Sequence, residues 1–223
     1  MDKINFSTVK NNYPNLYQIL NDYYGIDHSP KYDIQKLIEA SYSMKHFVKF
    51  WKKGILNRIA TEIDKELDNI SFGLVPNYGA EAYFSIKTGN NRYRLTLVQF
   101  YLSMLNNVYT IQILEVDEII DILPLEKIEV RTGTLKELWV SPGDHKHSRL
   151  FISIQKCLEE LLENPIFLPY TLQEIELPSI VLPWAVEREK YLVKDAFFRT
   201  VMPHNSEGAL ICGDPNYMLD KLQ

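Results

Sequence analysis

The apolar pattern of this chain changes period near residue 71, and that change decides what it can fold into. Upstream, Ile34, Leu37, Ile38, Met44, Val48, Trp51, Ile55, Ile59, Ile63, Leu67 and Ile70 recur mostly in steps of three and four, the period of a helix. Downstream, segments 81–87, 92–104 and 109–116 alternate instead, as half-buried strands do. Gly89-Asn90-Asn91 and Asn106-Asn107 divide these segments, and both are good turn formers because Gly and Asn tolerate positive φ. Two more short strands are expected at 127–131 and 135–140, with Thr132-Gly133 between them. The sequence thus predicts an α+β fold. A helical N-terminal segment (about 30–70) packs on an antiparallel meander (about 81–140), with two further helices at about 142–163 and 184–198.

Local signals refine this outline. A short helix is expected over 15–24, ended by Gly25. One unbroken helix from Ile34 to Ile70 would span roughly 55 Å, too long for a compact domain, so Gly54 is read as its break. Ser29-Pro30 and Ser141-Pro142 each read as a helix start, Ser as the cap and Pro in the first turn, and Asp144 stands at the capping-box position after Ser141. Leu150, Phe151, Ile154, Cys157, Leu158, Leu161 and Leu162 fall on one face of the following helix, which Pro165 ends. Pro165, Pro169, Pro178 and Pro183 then favour extended edges and turns, and 209–212 reads as a short strand. The chain divides most simply into a helical segment, 1–70, and an α+β body, 71–223, or else forms one continuous domain.

Charge and cysteine usage narrow the function classes. The net charge is −5, which argues against a general nucleic-acid binder. Residues 1–70 hold ten Lys/Arg and nine Asp/Glu; residues 71–223 hold fourteen and twenty, so the body is the acidic part. Cys157 and Cys212 alone make no disulfide framework and read as reduced thiols. The first residues show no signal-peptide pattern, and no apolar run approaches the ~20 residues of a bilayer span. A cytoplasmic location is therefore expected, with no cofactor and no metal.

Three clusters are candidate sites. Asp144-His145-Lys146-His147, with Ser141, Ser148 and Arg149, sits where a strand leads into a helix. A helix N-terminus offers free N–H groups and partial positive charge, so Ser141, His145, His147, Ser148 and Arg149 suit a phosphate, carboxylate or pyrophosphate. His145 and His147 with Asp144 also have the chemistry of a metal or acid–base site, though i and i+2 diverge on a regular helix. The second cluster is the basic stretch 44–58, in which Lys45, Lys49, Lys52 and Lys53 with Arg58 offer a partner-binding stripe, or else cover a helix packed on the acidic body. The third is the acidic run 115–129, with Glu115, Asp117, Glu118, Asp121, Glu126 and Glu129, which suits a divalent metal, a basic partner or a solvated loop. His204, beside Pro203 and Asn205, reads as an ordinary polar residue.

The order Leu138-Trp139-Val140-Ser141-Pro142, basic residues, then amphipathic helix resembles the acetyl-CoA-binding segment of GNAT acyltransferases over about 25 residues. His147, Ser148, Arg149 and Leu150 stand where that family has glycines. The resemblance implies a pyrophosphate held at the helix N-terminus. Two readings follow. One is a non-enzymatic interaction protein, an adaptor or toxin-neutralising immunity-type protein, acting on a protein partner of basic character through an acidic, Tyr-rich surface. The other is an acyltransferase-like enzyme or nucleotide/CoA-type anion binder at 141–149.

Overall fold

The computed structural model describes residues 5–27, 57–58, 61, 79–88, 93–103, 105–123, 128–178, 182, 190–198 and 208–222. The bulk of the 30–70 segment, including Gly54, Lys45, Lys49, Lys52 and Lys53, lies outside them, as do the Gly89-Asn90-Asn91 turn and His204. The described residues form an α+β arrangement of helices with a mixed, mostly antiparallel sheet. In chain order the elements are α1 (Phe6–Asn12), α2 (Pro14–Tyr24), β1 (Gly79–Thr88), β2 (Tyr93–Ser103), β3 (Val108–Leu123), β4 (Ile128–Trp139), α3 (Ser148–Leu161), β5 (Ile166–Phe167), α4 (Tyr170–Gln173), α5 (Val193–Phe197) and β6 (Leu210–Cys212), with a closing 3-10 turn at Leu219–Leu222.

The meander expected from alternation is present: β1, β2, β3 and β4 pair antiparallel in sequence order. Asn106 and Asn107 turn β2 into β3 with φ of 54° and 52°, the left-handed conformation that Asn accepts most readily among non-glycine residues. β6 adds parallel to β4 at the sheet's edge, and β5 pairs with the start of β3.

The strands are longer than the alternation shows. β3 runs to Leu123, and 127–131 with 135–140 are one strand, β4, passing straight through Thr132-Gly133. Gly133 serves close approach rather than a turn. A Cβ there would lie 2.9 Å from Val116 Cγ1, inside contact distance. Beside it the register shifts between Glu115 and Val116, so that Glu115 pairs with Glu137 but Val116 with Leu135, leaving Lys136 as the extra residue. The bulge reconciles the non-alternating run Leu135-Lys136-Glu137-Leu138 with a two-faced strand. It returns Leu135 to the side of Val116, Leu114 and Leu138, where these side chains form one apolar cluster.

The sheet buries both faces. On one, α3 sets Phe151, Ile154, Cys157 and Leu158 against Val98, Phe100, Leu102, Tyr109, Ile111 and Ile113. Each large side chain so buried contributes about 1.5–3 kcal/mol. On the other, Tyr101, Leu105 and Val108 join a core with Val9, Leu16, Leu20 and Tyr24 of α1 and α2 and with Leu168, Leu172, Val193 and Phe197. Tyr24 Oη donates to Ala196 O at 2.6 Å, tying α2 to a segment 172 residues away.

Two helix boundaries differ from expectation. α3 starts at Ser148, not near Pro142, because Ser141 is engaged elsewhere and 141–147 form a loop. At the C-terminal end only Val193–Phe197 is helical among the described residues of 184–198. Leu177 N donates to Tyr191 O and Val193 N to Ile175 O, so 190–192 run extended, and Asp195 Oδ2 accepts from Leu192 N to start the helix there.

Gly133→Ala is expected to lower stability by about 1–2 kcal/mol, the cost of overpacking. In a Val116→Ala background, urea unfolding should show most of that loss removed. An unchanged loss would dissociate Gly133 from the Val116 contact.

Candidate functional site

The site grows out of a change in the residues on the α3 side of the sheet. Register places Phe100 opposite Ile111, Val98 opposite Ile113, and then Thr96 opposite Glu115. On β4, Trp139 pairs with Ile113 and Glu137 with Glu115. The apolar face therefore becomes polar just where α3 begins, and the loop 141–147 closes over it.

Glu115 is the centre. It is 3% exposed, and three polar groups converge on its Oε1: Thr96 Oγ1, which donates at 2.8 Å, His147 Nε2 at 2.7 Å and Lys146 Nζ at 3.2 Å. Lys146 Nζ also lies 3.9 Å from Glu137 Oε2. The His147 contact is close but poorly aligned for a hydrogen bond. His147 Nε2, Glu115 Oε2 and Trp139 Nε1 are all buried without a hydrogen-bond partner among the described residues. Burial alone would raise the Glu115 pKa, but the Thr96 hydroxyl and the Lys146 and His147 contacts together outweigh it and hold the carboxyl below its ordinary value. Burial lowers the His147 pKa and the adjacent Lys146 charge assists, against the opposing pull of Glu115.

His145 is bound at both ring nitrogens. Its Nδ1 accepts from His147 N at 3.1 Å, which places the ring proton on Nε2, and Nε2 donates to Ser141 O at 3.0 Å. The ring stacks on Trp139 with centroids 4.1 Å apart, and His147 meets the same indole edge-on at 5.9 Å. Ser141 is fully buried. Its Oγ accepts from Asp214 N at 2.6 Å, and Gly213 (φ 92°) passes so close that a Cβ there would stand 2.5 Å from that oxygen. Val140 N also donates to Cys212 O. The loop is thus fastened both to β3 and to the β6 segment.

The five residues expected at this junction are gathered there with unequal exposure. Ser141 and His147 are buried, His145 and Ser148 half-buried, and Arg149 exposed on the first turn of α3. Ser148 N donates to His145 O and Phe151 N to His147 O, whereas the Arg149 and Leu150 N–H groups have no acceptor among the described residues. Asp144 is exposed and does not cap α3, whose first residue follows His147 with no side-chain cap. Among the described residues no three His, Cys, Asp or Glu side chains are grouped to hold a metal.

The residue that composition hid is Glu115. In sequence it belongs to an acidic run, but 115–123 and 128–129 lie within β3 and β4, not in a loop. Its even spacing from Ile111 and Ile113 was the available signal, since it places a carboxylate on the covered face. Of the basic stretch, Arg58 is described, and its guanidinium pairs with Glu160 of α3. Cys157 is buried on the α3 core face and Cys212 lies at the edge in β6, and the two are not joined by a disulfide. No described helix is long and apolar enough to cross a membrane.

Both shifts have the same sign for stability. A folded-state pKa below the unfolded value adds stability that is present above the unfolded pKa and is lost as pH falls, beginning near about 6.5 for a histidine and about 4.3 for a glutamate. The urea midpoint should therefore be lower at pH 4.5 than at pH 7, with a narrower gap in His147→Gln. Glu115→Ala should cost roughly 3 kcal/mol at pH 7, because it strands buried donors. A loss below about 0.5 kcal/mol, the range of ordinary surface changes, would remove Glu115 from the centre of this site. The chain matches no protein-family model, no curated protein and no solved structure.

Proposed function

We propose that this chain is a non-enzymatic interaction protein, an adaptor or toxin-neutralising immunity-type protein, that takes an extended segment of a basic partner onto the β6 edge. The observation that supports this is the exposure of that edge. Leu210 is 62% and Ile211 45% exposed, two of the three large apolar side chains so exposed among the described residues. β6 pairs with β4 on one side. In a parallel ladder alternate residues turn their backbone groups to opposite sides. With Cys212 O facing Val140 N, the Ile211 N–H and C=O face outward. An edge of this kind pairs with an added strand, and side chains at alternate positions supply specificity. The partner's basic character follows from charge: Glu137 pairs with Leu210, Asp214 follows β6 exposed, and residues 71–223 carry the acidic surplus.

Affinity capture with the wild-type chain and with Leu210→Asp/Ile211→Asp tests this. A basic protein retained by the wild type at moderate salt and lost by the variant, at matched melting temperature, is the expected result. A capture profile identical for both chains would remove β6 from the account.

The second reading, an anion binder of nucleotide or CoA type, is favoured by the Arg149 and Leu150 N–H groups, which have no acceptor among the described residues, beside the exposed Arg149 side chain. Against it, Lys146 and His147 are directed at the chain's own Glu115 carboxylate. Thermal shift with CoA, ATP and inorganic phosphate separates the readings. The interaction reading expects no shift, and a rise that Arg149→Ala abolishes would favour the anion site.

A further inference from the structure

We propose that the open cavity between the β2–β3 turn and the end of α3 binds a small, neutral, polyhydroxylated molecule of monosaccharide size. The site lies at the other end of α3 from the 141–147 loop, roughly 20 Å along the helix, and does not depend on the β6 reading.

The cavity holds about 320 Å³ and is lined, among the described residues, by Asn106, Asn107, Glu163, Asn164 and Ile166. That volume falls at the lower end of the range for small-molecule sites, room for one sugar ring and far more than a single ion fills. Its walls are two loops distant in sequence and bonded to each other. Asn107 Nδ2 donates to Glu163 O at 2.7 Å, and Ile166 N donates to Asn107 O at 3.2 Å. β5 extends this contact by pairing with the first residues of β3. The neighbouring Leu105, Val108, Leu162 and Phe167 are buried and fix both loops to the core. The cavity is therefore formed before a ligand arrives, which spares the cost of ordering it on binding.

The polar lining exceeds what the turns require. Asn106, Asn107 and Asn164 have φ of 54°, 52° and 48°, three of the four positive-φ non-glycine residues among those described. Glycine would serve that backbone at least as well, so what asparagine adds is a carboxamide. Asn107 uses its amide to hold Glu163 O. The carboxamides of Asn106 and Asn164 and the carboxylate of Glu163 are exposed and have no hydrogen-bond partner among the described residues.

These groups select the ligand class. A carboxamide presents two N–H donors and an acceptor oxygen, and a carboxylate accepts from neighbouring hydroxyls. Vicinal hydroxyls donate and accept, so they satisfy every one of these groups. Ile166, half-buried, gives the C–H face of a ring an apolar contact. Anions are disfavoured. No Lys, Arg or His lines the cavity among the described residues, and Glu163 follows the C-terminal end of α3, which carries partial negative charge. A divalent cation would find a single carboxylate and leave the amide N–H groups unused. The few contacts and the open mouth set the affinity in the millimolar range.

Titration of the isotope-labelled full chain with glucose, galactose, mannose and N-acetylglucosamine, read from backbone amide resonances, tests the site. Saturable shifts at Asn106, Asn107, Glu163, Asn164 and Ile166, without like shifts in 141–147 or 210–214, are expected for at least one of these sugars. Asn106→Gly/Asn164→Gly keeps the left-handed backbone and removes both carboxamides, so the dissociation constant should rise about fivefold or more. Should that variant fail to fold, Glu163→Ala, a change at an exposed side chain, should weaken binding about threefold or more. No saturable shift with any of the sugars, shifts confined to other parts of the chain, or an unchanged dissociation constant in the folded variant would overturn the proposal. Calcium chloride saturating these amides in place of the sugars would overturn it as well, by making the cavity a cation site.

Discussion

The packing of α3 across β2 and β3 is the interaction on which the rest of the arrangement depends. Phe151, Ile154 and Leu158 need an apolar bed, and Val98, Phe100, Ile111 and Ile113 provide one. A helix is finite, however, and the strands continue past its first turn. Beyond that point the same sheet face carries Thr96, Glu115 and Glu137, past the first residue of α3. The loop 141–147 fills this end with polar side chains, because a carboxylate taken out of water must find donors. Thr96 donates the hydrogen bond, Lys146 and His147 bring their nitrogens to the same oxygen, and the first turn of α3 adds its partial positive charge. The helix N-terminus that the sequence offers as a candidate anion site therefore has an anion from within the chain beside it, supplied by a strand some thirty residues upstream.

The opposite face solves a different problem. Two short helices near the N-terminus would be marginal alone. They are fixed by burying Val9, Leu16, Leu20 and Tyr24 against segments from the far end of the chain, with the Tyr24–Ala196 hydrogen bond among the ties. Buried polar side chains on this side are paired to one another. Gln173 Nε2 donates to Thr110 Oγ1 and to Leu168 O, and Gln112 Nε2 donates to Gln173 Oε1. This contrasts with the Glu115 cluster, where satisfaction is incomplete. Among the described residues, the buried polar atoms without hydrogen-bond partners all lie on the loop side.

Much of this was readable from local pattern. The meander followed from alternation and the Asn106-Asn107 turn, and α3 from the spacing of Phe151, Ile154, Cys157 and Leu158. Those signals are local, since side-chain period is fixed by backbone geometry. The failures were equally local in origin. Thr132-Gly133 looks like a turn, because Gly in a strand pattern is ambiguous between a bend and a close approach. Ser141-Pro142 looks like a helix start, because a capping Ser and a Ser bonded to a distant backbone N–H have the same sequence. The run 184–198 has the composition of a helix, but cross-pairing of 175–177 with 191–193 takes its middle into extended backbone.

Sequence by itself determined the α+β class, the identity of the principal amphipathic helix and the gathering of Ser141, His145, His147, Ser148 and Arg149 at one strand-to-helix junction. These depend on periodicity and on neighbours a few residues apart. Only the tertiary structure decided what that junction faces. Glu115 reaches His147 across 32 positions, and Ser141 reaches Asp214 across 73, through strand register and the Glu115–Val116 bulge. No local pattern encodes such a pairing, because it is set by which strand lies beside which and by the one-residue shift that turns a side chain toward the core.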